Sequence, residues 1–138
     1  MQDLETIAVT YYRSGYNCAE SILRAGNDYY DLKMAERDLI IAAGMGGGLQ
    51  SGDVCGVINA AAAIMSLRYI ETKAHDSATF KPMMQELVKA FDNGFQARKC
   101  DDIKPRFHQP EVKCVKTVAL GAQILEAFIK QWDSKEHQ

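Results

Sequence analysis

An all-α fold, a single bundle of about five helices over residues 1–138, is what this sequence predicts, on three observations. Apolar residues recur at alternating steps of four and three through most of the chain. Nowhere do four or more residues alternate cleanly with β-branched content. There is no internal repeat and no linker long enough to divide the chain. A domain of 138 residues, 47% of them apolar, buries roughly 70% of its unfolded surface and needs no disulfide staple.

The first helix is expected over residues 3–26, where Leu4, Ala8, Tyr11, Gly15, Cys18, Ile22 and Ala25 form one stripe. Gly15 interrupts it at a cost of about 1 kcal/mol, either for close packing or as a break before Tyr16-Asn17-Cys18. The stripe points Cys18 inward. After a turn at GNDYYDL, a second helix is expected over 32–43, ending at Gly44. A glycine-rich loop follows. The third helix is expected to start at Asp53, a good N-cap residue, and to run to Tyr69 through the small residues Ala60 to Ala63.

Residues 77–94 predict a fourth helix, with Phe80, Met84, Leu87, Phe91 and Phe95 at helical spacing and Pro82 in the first turn. The polar stretch QARKCDDIKPRFHQP, with two prolines, reads as a loop carrying Cys100 and His108. A last helix is expected from Pro110, with Cys114, Val118, Gly121, Leu125 and Phe128 on one stripe and Trp132 near its end. The tail DSKEHQ is expected to fray. His75 and His137 have no companions that suggest a site, and the methionines read as core fillers. The pairs Tyr11-Tyr12 and Tyr29-Tyr30 suit an interface or a pocket.

Charge excludes some partners. Sixteen basic against 18 acidic residues give a net charge of −2, with no basic stripe of the kind nucleic acid requires. No uninterrupted run of 18 apolar residues suggests a membrane span, and the N-terminus does not read as a signal peptide. The cytoplasm is then the expected compartment, where lasting disulfides are disfavoured.

That leaves four cysteines to explain: Cys18, Cys55, Cys100 and Cys114, spaced by 37, 45 and 14 residues. None is a CxxC, so spacing alone is a weak signal. Placement says more. Cys55 ends the stretch GMGGGLQSGDVCG and falls in the first turn expected of the third helix, where unpartnered amides and the helix dipole favour a thiolate and lower the thiol pKa. Asp53 opposes this. Gly46, Gly47, Gly48, Gly52 and Gly56 strip side chains from around Cys55, so that a thiol, metal, anionic substrate or cofactor approaches closely. The loop is neither a P-loop nor a dinucleotide fingerprint, since no GK[ST] follows and no strand precedes it.

YNCAES (Tyr16 to Ser21), AAGMGGGLQSGDVCGVINAAAAIM (Ala42 to Met65), Lys99-Cys100 and VKCV (Val112 to Val115) together resemble the C_GCAxxG_C_C family of small four-cysteine proteins, to which a redox role is attributed. The likeness covers nearly the whole chain. The family cysteines fall on Cys18, Cys55, Cys100 and Cys114. Its motif, taken as CGAxxG, falls on Cys55 to Ala60, with Val57 in place of alanine and Ala60 in place of glycine.

The resemblance implies a helical bundle that pairs with a copy of itself, and thiol/disulfide chemistry with an unknown redox partner. In that chemistry Cys55 attacks as the thiolate, Cys18 resolves, and Cys100 and Cys114 form a second pair; four cysteines permit three connectivities. Tyr16 and Glu20 are either proton shuttles or packing and solvation. Two alternatives stay open. Four thiolates, or three with His108, suit zinc or an iron–sulfur cluster. Buried thiols also suit a structural or binding protein with no cofactor. No CxxCH is present for covalent haem.

Overall fold

Asp3 opens the first helix: its carboxylate accepts from the Thr6 amide at 2.8 Å, and α1 runs Leu4–Arg13. The structure, a computed structural model, describes residues 2–135, and His137 lies outside them. Instead of one helix over 3–26 there are two. Gly15 takes φ +109°, which ends the first turn-by-turn ladder, and α2 (Cys18–Tyr30) starts afresh on a capping box. In that box the Asn17 side chain accepts from the Glu20 amide at 2.9 Å, and the Glu20 carboxylate accepts from the Asn17 amide at 2.9 Å.

Of the helix expected over 32–43, only one turn is α-helical, α3 (Glu36–Leu39). It is held to α2 by a two-pronged Arg24–Glu36 ion pair. Ile40–Met45 then winds as a tighter helix of about three residues per turn, with Gly44 inside it. The apolar spacing gives the reason: Leu39 and Ala42 are buried three apart, while Ile40 and Ile41 face solvent.

The third expected helix begins later than Asp53. The backbone of residues 53–55 is already paired with 98–100: the Cys55 amide donates to the Arg98 carbonyl at 2.9 Å, and the Cys100 amide to the Asp53 carbonyl at 2.6 Å. The chain is therefore free to coil only from Gly56. Cys55, not Asp53, is the residue before α4 (Gly56–Tyr69). This helix is apolar all round and lies at the centre, against α2, α5 and α7. Small residues set the spacing: a Cβ on Gly26 of α2 would collide with Ile64, and one on Gly121 of α7 with Val57.

Helix α5 (Phe80–Phe95) buries Met83, Leu87, Phe91 and Phe95. The expected loop carrying Cys100 is instead a helix, α6 (Cys100–Phe107), with Pro105 inside it. Proline costs it one backbone hydrogen bond. Against that, acids in its first turn and bases in its last match the helix dipole, Ile103 is buried, and Phe107 meets Phe95 edge-on at 5.7 Å. Pro110 sits in a turn closed by mutual backbone hydrogen bonds between Gln109 and Lys113. The final helix, α7 (Val115–Ser134), accordingly starts after Cys114 rather than at Pro110. It packs on α1, and the Leu4 amide donates to Glu126 at 2.8 Å. The described residues are thus all-helical, with seven α-helices where about five were expected. Among the described residues no helix is long and apolar enough to cross a membrane.

Candidate thiol site

All four cysteines stand at helix starts. Cys18 and Cys100 are the first residues of α2 and α6, and Cys55 and Cys114 immediately precede α4 and α7. Three local devices bring these starts together. Pairing of 53–55 with 98–100 fastens the start of α4 to that of α6. Gly56 lets α2 approach α4: a Cβ there would lie 2.7 Å from the Cys18 Sγ and 2.9 Å from the Met45 carbonyl oxygen. The Cys114 amide donates to the Tyr12 hydroxyl at 3.1 Å, which fastens the start of α7 to α1.

A cleft of about 400 Å³ opens over this junction, and Cys18, Cys100 and Cys114 line it. Cys55 does not; it lies behind, 3% exposed. Cys114 is the most open of the four, being only partly buried. Of the glycines expected to frame Cys55, Gly47 lines the cleft and Gly56 touches the Cys18 sulfur. The other three are filled by protein. Gly46 meets the Asn17 side chain, Gly52 the Asp101 carboxylate, and Gly48, at φ +63°, the Asp53 backbone.

The expected lowering of the Cys55 pKa is overturned. The amides of Val57 and Ile58 do favour its thiolate, as a helix start should, but burial outweighs them and the neighbouring Cys18 adds to it. The thiol is pushed up to about 12. Burial likewise raises Cys100, with Cys18 and Cys114 adding and Lys104 opposing. It raises Cys114 too, with Cys18 adding and both Tyr12 and Lys104 opposing. Cys18 acts electrostatically on each of the other three thiols.

The Tyr12 hydroxyl oxygen accepts from the Cys114 amide, and the presence of this hydroxyl favours the Cys114 thiolate. Of the expected proton shuttles, Glu20 has its carboxylate in the α2 capping box, and the Tyr16 ring lies under the Arg24 guanidinium at 4.2 Å. His108 lines the cleft, as do Lys104 and Lys113. The two lysines were not legible in the sequence. With residues 99–107 read as a loop, the one-turn spacing of Lys104 from Cys100 carried no meaning.

Asn17 connects fold and site. It caps α2 one residue before Cys18, and its amide group donates to the Ala43 carbonyl at 3.1 Å. Asn17→Ala is expected to lower stability by about 1–2 kcal/mol, read as a fall in the urea midpoint at unchanged m value. Among the described residues no three His, Cys, Asp or Glu side chains are grouped closely enough to hold a metal ion.

No curated protein and no solved structure matches the chain. A family model does match, over residues 16–128, a span that includes all four cysteines. Set letter by letter with its cysteine on Cys55, the GCAxxG of the family's description places Val54, Gly56 and Asn59 on its glycine, alanine and second glycine. The likeness therefore rests on the long span and the cysteine set more than on the motif. On that span the chain belongs to the family described as "Putative redox-active protein (C_GCAxxG_C_C)".

Proposed function

We propose that the protein exchanges electrons between its own thiols and an external disulfide, with Cys114 as the attacking group and Cys18 as the resolving one. One observation carries this reading: three thiols, those of Cys18, Cys100 and Cys114, line one cleft. Cys114 is chosen because it is the most accessible and has Tyr12 and Lys104 to steady its thiolate. Its sulfur attacks one sulfur of the disulfide, forming a mixed disulfide and releasing one thiolate. Cys18 then attacks the Cys114 sulfur, closing an intramolecular disulfide and releasing the second thiolate. The protein loses two electrons and the external disulfide gains them. The protons of Cys18 and Cys114 pass through solvent to the two leaving thiolates. Cys55, deep and protonated, takes no part in the attack, which changes the Cys55–Cys18 pairing expected from the family likeness.

The test is a free-thiol count across a graded glutathione redox buffer, followed by peptide mapping. Two thiols are expected to disappear together at one potential, with Cys18 and Cys114 joined. In Cys18→Ala the mixed disulfide on Cys114 should persist. Thiols that oxidise one by one, or not at all, would overturn the proposal.

A further inference from the structure

The cleft carries charge as well as sulfur. Lys104 and Lys113 both line it, and Lys113 directly precedes Cys114. Among the described residues neither lysine has a carboxylate partner, although Arg24, Arg68 and Arg98 each do. His108 lines the same wall. One carboxylate, Glu20, also lines the cleft, with one oxygen accepting from the Asn17 amide, so the two lysines outnumber it; Asp101 packs against Gly52. The cleft volume, about 400 Å³, lies within the range of small-molecule sites rather than that of a flat protein-docking surface. Two unpaired ammonium groups beside accessible sulfur would hold an acid group and leave the thiol facing whatever that acid group is attached to.

We propose that the cleft takes a small disulfide bearing carboxylates, its acid groups held by Lys104 and Lys113 while one of its sulfurs meets Cys114. This rests on the thiol reading above and supplies its substrate class. The electron balance is the one already given, with the carboxylated disulfide as oxidant and two carboxylated thiols as products.

The experiment compares three small disulfides of different charge: dithiodiglycolate, cystamine and bis(hydroxyethyl) disulfide. Each rate of thiol loss is divided by that disulfide's rate with mercaptoethanol, which removes intrinsic reactivity. At low salt dithiodiglycolate is expected to lead cystamine by about tenfold or more, a lead that shrinks as salt is added. In Lys104→Gln/Lys113→Gln the ratio should fall towards one. A ratio near one in the unaltered protein, or one unchanged by the double substitution, would overturn the inference.

A second arm separates binding from chemistry. Adipate and hexanediamine are unreactive look-alikes of the two charged disulfides, and saturable shifts of the His108 ring resonances report their binding. Adipate alone is expected to bind. Adipate binding without thiol loss to any disulfide would end the redox reading and leave the anion cleft standing. Equal thiol loss to all three disulfides, without adipate binding, would end this inference and leave the redox reading standing.

Discussion

Folding stability is expected to fall as pH rises from about 8.5, and Cys55→Ala is expected to remove about 2 kcal/mol of that fall at pH 10. In the unfolded chain a cysteine ionises at an ordinary pKa of about 8.5. In the folded protein burial and Cys18 push Cys55 up to about 12. The folded state therefore keeps a proton that the unfolded state gives up. The stability this reflects is fully present below the unfolded pKa and is lost progressively as pH rises towards the folded one. The full loss is on the order of 5 kcal/mol. Burial also raises Tyr30 and Tyr69, and a hydrogen bond to Asp28 raises Tyr11, but ordinary tyrosines ionise near 10. The window from 8.5 to 10 therefore belongs mainly to thiols. Urea midpoints under reducing conditions at several pH values decide the matter. Parallel slopes for the two proteins would mean that Cys55 is not the proton holder.

Gly56→Ala is expected to cost about 2–3 kcal/mol, although alanine is ordinarily the better helix residue. Its Cβ would sit 2.7 Å from the Cys18 sulfur, 2.9 Å from the Met45 carbonyl oxygen and 3.1 Å from the Gly46 Cα. Two of those three neighbours are backbone of the Met45–Gly46 segment, so relief requires that segment, together with Cys18 of α2, to part from the first turn of α4. The expected signs are a lower urea midpoint and faster alkylation of Cys18, measured by mass spectrometry of the peptide that contains it. An unchanged midpoint would show that the two helix starts are not in close contact. The same substitution at Gly44, where a Cβ meets nothing within 4 Å, serves as the control.

Sequence patterns revealed the elements whose burial follows a single period. The stripe through Phe91 and Phe95, the alanine-rich α4 and the inward face of Cys18 are all where helical spacing puts them. What they did not reveal was decided by long-range backbone pairing. Asp53 is a good N-cap by type, yet its carbonyl is taken by the Cys100 amide, and the helix start moves to Gly56. The prolines at 105 and 110 argued for a loop, whereas burial of Ile103 and Phe107 sustains a helix through the first of them.

The site was legible as a set of cysteines and a glycine loop, and the raised pKa of Cys55 was not. A helix start favours a thiolate only where water or a counter-charge also reaches it, and depth is not written in a local pattern. Lys104 was hidden for a related reason, since its position beside the thiols depends on α6 existing at all.

The tie between residues 53–55 and 98–100 consists of two backbone hydrogen bonds, one on either side of the Val54–Lys99 bridge. It ties the start of α4 to the start of α6, so Cys55 and Cys100 share one backbone frame although 45 residues separate them in the chain. A substitution that disturbs either side of this short ladder would therefore displace both sulfurs together.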